Sequence, residues 1–181
     1  MRRSIFGAVM AAAVIGLPMA ASSAYAQCTA SGAPASCGLP GSVSMTAGRV
    51  VRLQMSAVST PLTAPVPADF DAGFNATTGP TLSVSSNAAW TLHIRAAAAT
   101  WTATNTSPGA PARTNKPAAD LKWSTASNGS FAALTVSDVN LVTGAATASS
   151  ATTLYFQTLY SWTLDTPGNY SMAIILTLTS P

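Results

Sequence analysis

His93 is the only histidine of this 181-residue chain, and its carboxylates are Asp69, Asp71, Asp120, Asp138 and Asp165, with no glutamate. A hydrolytic triad would have to use His93 as its base. Ala89–Arg95 alternates, however, with Trp90, Leu92 and Ile94 on one face and Thr91, His93 and Arg95 on the other. His93 is therefore read as a surface residue of a strand. Glycosidic chemistry needs two carboxylates facing each other across a cleft, whereas Asp69 and Asp71 are near neighbours on one face. Asp69-Phe70-Asp71-Ala72-Gly73-Phe74-Asn75 spaces oxygen side chains in the manner of a calcium loop. Gly73 nevertheless stands where a ligand is required, Phe74 where the turn glycine belongs, and no glutamate closes the set. Cys28 and Cys37 have no second ligand pair with which to hold zinc, and no glycine-rich phosphate loop is present. The chain is read as non-catalytic, with no metal and no cofactor.

The elements that position these residues begin after a leader. Arg2 and Arg3, the apolar run Ile5–Ala21 and the Ala24-Tyr25-Ala26 site together make a cleaved secretory signal peptide over residues 1–26. The run is shorter than the ~20 residues that span a bilayer, and Gln27 separates the cleavage site from Cys28, which argues against a lipid anchor. No later stretch is long and apolar enough to cross a membrane. The expected location is secreted: extracellular, cell surface or periplasm. In that oxidising compartment Cys28 and Cys37 are expected to form a disulfide, with roughly 2–3 kcal/mol at most from closing so short a loop.

Composition narrows the partners. Arg2 and Arg3 leave with the signal, so six of the 8 basic residues face 5 acidic ones. A net charge of +1 is too small for nucleic acid, and no polybasic patch addresses a membrane surface. Only 7% of residues are charged, so Ser, Thr and Asn must carry solubility, and weak like-charge repulsion leaves self-association open.

Short β-branched and aromatic runs separated by turn residues predict an all-β fold. Ser42–Ser56 is the first strand region; Pro61, Pro65 and Pro67 make Thr60–Ala68 a connector. Phe70–Phe74, Thr81–Ser85, Ala89–Arg95 and Trp101–Thr104 follow as strands. Ser107–Pro117, with Arg113 and Lys116, reads as a mobile surface loop. Leu121–Ser124 and Phe131–Val136 flank a turn at Asn128-Gly129, and Gly144–Ser150 reads as a small-residue loop. At the end, Leu154, Phe156, Tyr160, Trp162 and Leu164 share a face. Pro167-Gly168 supplies a turn, and Tyr170–Thr179 returns with Tyr170, Met172, Ile174, Leu176 and Leu178 inward. Pairing Leu164 with Tyr170 would make the two apolar faces coincide. The expected architecture is an immunoglobulin-like β-sandwich of roughly eight antiparallel strands. Its organisation is signal peptide 1–26, disulfide-looped arm 27–41 and sandwich domain 42–181.

Of the 4 tryptophans, Trp90 and Trp162 have aliphatic neighbours on their face and are expected in the core. Trp101 and Trp123 have small polar neighbours and are the candidates for an exposed, sugar-stacking role. Four Asn-x-Ser/Thr matches, at Asn75, Asn105, Asn128 and Asn169, are common by chance in a chain so rich in Ser and Thr.

Trp90-Thr91-Leu92 and Trp162-Thr163-Leu164, the second preceded by Tyr155 and Leu159 and followed by Pro167, resemble the two motifs of the WxL domain. That is a secreted bacterial module held non-covalently on peptidoglycan. The resemblance spans residues 90–167. It implies Trp90, Leu92, Trp162 and Leu164 as surface-binding positions and peptidoglycan or another envelope glycan as partner. A full strand after the distal motif departs from the family pattern. Pro167-Gly168-Asn169-Tyr170 and the alternating terminal strand are also similar to secreted pilus or coat subunits, which often donate a strand to a neighbour's sheet. Val43–Met55 is the one stretch suited to donation, and it also looks needed as the first strand. Three functions follow as expectations: a cell-surface or envelope-associated structural or adhesion module, a subunit of a surface polymer, or a carbohydrate-binding module.

Overall fold

Among the described residues, alternation of large apolar side chains with Ser and Thr produces an all-β, antiparallel structure with one apolar core. The computed structural model describes residues 28–39, 41–105 and 111–181. The expected signal peptide and part of the loop after Asn105 lie outside them. The chain divides into two compact units, residues 1–46 and 47–181. In the first, Cys28 and Cys37 are disulfide-bonded with their Cα atoms 5.8 Å apart, and the described residues form no strand. Val43 and Met45 stand fully out in solvent.

Among its described residues the second unit holds ten strands. They are β1 (Val51–Met55), β2 (Phe74–Ser86), β3 (Trp90–Ala96), β4 (Thr102–Asn105), β5 (Leu121–Ser124), β6 (Ala132–Ala133), β7 (Val139–Gly144), β8 (Thr147–Leu159), β9 (Gly168–Ser171) and β10 (Ile174–Thr179). The larger sheet runs β1-β2-β8-β5-β6 and the second runs β10-β3-β7, while β4 and β9 pair by themselves. On the inner faces, Leu82 and Val84 of β2, Leu154 and Phe156 of β8, and Leu121 and Trp123 of β5 join Trp90, Leu92, Ile94 and Ala96 of β3. The predicted alternation of β3 is what the structure has, with Thr91, His93 and Arg95 half-buried on the other face.

Several expectations are corrected. The first strand starts at Val51 rather than Ser42: Asn87 Oδ1 accepts from Val50 N and Asn87 Nδ2 donates to Gly48 O, both at 2.8 Å, and these bonds mark where pairing with β2 begins. Phe70–Phe74 is not a strand. Pro67–Ala72 forms a short helix, α1, with Pro67 in its first turn, where a missing N–H costs nothing. Asp69 Oδ2 accepts from Val66 N at 2.8 Å, and Gly73 ends the helix at φ +78°. Gly144–Ser150 is a loop only at Ala145-Ala146: Gly144 ends β7, and Thr147–Ser150 opens β8 and pairs with β2.

The predicted terminal hairpin is absent. β8 pairs with β2 and β5, β10 with β3, and Tyr170 of β9 lies opposite Ala103 of β4. In the second sheet, Leu92 faces Leu178 and Ile94 faces Leu176. Leu154 and Phe156 of β8 and Ile174, Leu176 and Leu178 of β10 keep facing the core but against different partners, whereas Trp162 and Leu164 do not, since alternation selects a face and not a neighbour.

Gly144 lets Trp90 lie flat on β7. A Cβ there would sit 2.5 Å from Trp90 Cζ2, and the indole is pinned by donating to Ala145 O at 2.9 Å. Gly144→Ala should cost about 1–3 kcal/mol through overpacking. A urea midpoint unchanged from wild type would contradict this packing.

Candidate functional site: an open cleft and an aromatic shelf

β1 is bonded only to β2, and β10 only to β3, so among the described residues each has a free outer edge. On this flank the core is not closed. Leu53, Met172, Ile174, Leu176 and Leu178 pack against the core yet remain half-buried, whereas Leu82, Leu92, Ile94 and Leu154 are at 0% exposure. A cleft of about 760 Å³ lies there, lined by Leu53, Met55, Leu62, Phe156, Ile174 and Leu176 among others. β10 reads Ile-Ile-Leu-Thr-Leu-Thr. It has neither the charge nor the proline that usually blunts an edge. An unpaired strand beside uncovered apolar side chains can accept a further strand, through backbone bonds along the edge and side chains into the cleft.

A second feature adjoins it. Lys116, expected on a mobile loop, is 2% exposed. Its Nζ donates to Leu159 O at 2.7 Å, Asp165 Oδ1 at 2.9 Å and Asp120 Oδ2 at 3.3 Å. It also lies 5.5 Å from the Tyr160 ring centroid and 5.9 Å from that of Trp101. Arg113 Nη1 reaches Asp165 at 3.1 Å and Asp120 at 3.4 Å. Two cations and two carboxylates thus compensate each other, as burial requires. Asp165 also ties the turn after β8. Its Oδ2 accepts from Ser161 N at 2.9 Å, and its own N–H donates to Ser161 O at 3.0 Å. That closed turn takes Trp162 and Leu164 out of the strand.

Trp162 rests at 4.7 Å, centroid to centroid, on Phe70 of α1, and Phe70 lies 5.4 Å from Tyr160. Trp162 Nε1 donates to Asp71 Oδ1 at 3.0 Å. Burial, then the Asp69 carboxylate, raises the Tyr160 phenol above its ordinary 10.0, with a smaller push from Asp165.

The four positions implied by the Trp-x-Leu resemblance are not brought together. Trp90 and Leu92 are in the core, while Trp162 and Leu164 are 61% and 55% exposed on the turn. Trp90 is in the core as expected, but the other three tryptophans are reversed: Trp101 and Trp123 are buried and Trp162 is exposed. Trp101 is covered because its Nε1 bonds Pro117 O at 3.1 Å and Lys116 packs over its ring. Of the calcium-like run, Asp69 caps α1 and accepts from Asn75, and Asp71 orients Trp162. Among the described residues, no three His, Cys, Asp or Glu side chains gather as a metal site, and no helix is long and apolar enough to cross a membrane. Asp138 pairs with Arg95 at 3.4 Å. The sequence reading missed Lys116 and Asp165, whose only signal was their opposite charge in a chain with so few charges. No family model matches the chain, and none of the curated proteins compared with it does.

Lys116→Met should destabilise the domain by about 3 kcal/mol, because Asp165 and Leu159 O lose a buried donor. The double variant Lys116→Met, Asp165→Asn should recover part of that loss in urea denaturation; strictly additive losses would deny the coupling. Native Tyr160 holds its proton more tightly than unfolded tyrosine. Its contribution to stability is therefore complete below about pH 10 and declines as pH rises through the higher native value. Alkaline unfolding of Tyr160→Phe should lack that component.

Proposed function

We propose that this chain is a non-catalytic, exported structural protein of the cell surface or envelope, and that it acts as a subunit of a polymer assembled by strand addition. The observation that carries this reading is the half-covered core beside the edges of β1 and β10, which approach each other without backbone pairing. The donor is Ser42–Val50 of a second copy. These residues make no strand, and Val43, Met45 and Val50 are exposed. Val43, Met45 and Ala47 fall on one side of an extended chain, the spacing needed to fill a cleft beside a paired edge. Burying Val43 and Met45 would contribute about 1.5–3 kcal/mol each. Val43–Met55 is also needed as the first strand, and the structure divides it: Val51–Met55 is β1, while Ser42–Val50 lies in no strand, its Gly48 and Val50 being bonded to Asn87, contacts that donation would release. The low charge of the chain and the Cys28–Cys37 bond support assembly in an oxidising, extracytoplasmic space. Separation of Trp90 and Leu92 from Trp162 and Leu164 weighs against these four acting as one peptidoglycan-binding motif.

Residues 27–181 should form ordered, concentration-dependent polymers, seen by sedimentation and electron microscopy. A synthetic peptide of residues 42–50 should raise the melting temperature of the monomer and block growth, and Val43→Asp with Met45→Asp should abolish polymers while leaving a folded monomer. A wild-type chain that stays monomeric and does not bind the peptide, or that pellets only with isolated peptidoglycan, would overturn the polymer reading.

A further inference from the structure

Trp162 is presented to solvent in a fixed attitude. Its turn is closed by Asp165, its indole N–H is bonded to Asp71, and Phe70 supports the ring at 4.7 Å. Exposing an indole forfeits apolar burial, yet three contacts hold this one outward. Beside it lies a hollow of about 660 Å³, within the range of small-molecule sites. Its aromatic wall is Phe70, Tyr160 and Trp162, and its polar lining includes Thr63, Thr166 and Asn169.

The electrostatics select the ligand class. The lining charges Lys116 and Asp165 are bonded to each other at 2.9 Å, and Arg113 and Asp120 complete their compensation. No uncompensated charge in this lining awaits a phosphate, a carboxylate or an ammonium group. A rigid apolar face next to hydroxyl and amide groups matches a neutral pyranose ring, whose axial C–H groups form an apolar face and whose rim carries hydroxyls.

We propose that this shelf binds a neutral oligosaccharide, one hexopyranose ring stacking on Trp162 while its hydroxyls bond the side chains of Thr63, Thr166 and Asn169. The proposal does not depend on strand addition: Leu62, Trp101 and Tyr170 line both hollows, but Trp162, Thr63, Thr166 and Asn169 line only this one. It would give each subunit of a polymer its own glycan contact.

The test titrates monomeric protein, capped with the residue 42–50 peptide if it polymerises, with cellohexaose, maltohexaose and N-acetylated chitohexaose, following tryptophan fluorescence and calorimetry. At least one should bind saturably at millimolar concentration or below. Trp162→Ala should weaken it about tenfold or more, the loss of a stacked aromatic contact, with Trp162→Phe intermediate and Asn169→Ala weaker than wild type. Both Trp162 and Asn169 are exposed, and unchanged circular dichroism would establish that the variants fold. Absence of saturable binding to all three sugars would overturn the proposal. So would equal binding by Trp162→Ala, or a preference for acidic oligogalacturonate over every neutral sugar.

Discussion

The structure depends on one desolvated layer. Leu82 of β2, Leu92 and Ile94 of β3 and Leu154 of β8 are fully withdrawn from water and join the two sheets. Burial of such side chains is the dominant favourable contribution available to a chain with so few charges. Along β2 and β8, Ser and Thr alternate with them and leave the outer faces wettable without ion pairs. The layer is sealed along β2, β3 and β8 and thins toward β1 and β10, where the same kinds of side chain remain half in water. The cleft is therefore a continuation of the core, and a strand placed there would extend the same layer.

The buried Lys116 cluster does for the chain path what the apolar layer does for the sheets. A lysine taken out of water is tolerable only with compensating charge and full hydrogen bonding, and Asp165, Asp120 and Leu159 O supply both. Because Asp165 also closes the Ser161–Asp165 turn, the requirement to pair one cation sets the place where β8 stops. It also sets the orientation of Trp162. Core stability and the aromatic shelf are linked through this carboxylate.

The strands that were legible in the sequence are those with strict alternation around bulky residues, such as Trp90–Ala96 and Ile174–Thr179. Of those misread, one was decided at a distance and one by local capping that its apolar composition outweighed. Thr147–Ser150 is built of small residues and is a strand only because β2 lies beside it. Phe70–Phe74 has the composition of a strand, but Pro67, Asp69 and Gly73 begin, cap and end a helix. Of the site, the donor-like segment was visible as Val43–Met55. Its division at Val50 was not, since it follows from the bonds that Asn87 makes across the sheet.

By itself the sequence determined the all-β class, the inward faces of its best strands and the pairing of its two cysteines. Each of these follows from local periodicity or from a count with one solution. Which strands lie side by side, where the core is left open and which tryptophans face water were decided only by the tertiary structure. Tyr170–Thr179 satisfies its alternation equally well against β8 or β3, and the choice is made by the turn that Asp165 holds. Trp101 and Trp162 differ in exposure because one lies beneath Lys116 and the other sits on that turn. For Trp101 the cover comes from Lys116, which reaches its ring only in the fold; for Trp162 the turn is local, but the Asp165 that closes it is paired with Lys116 from far along the chain.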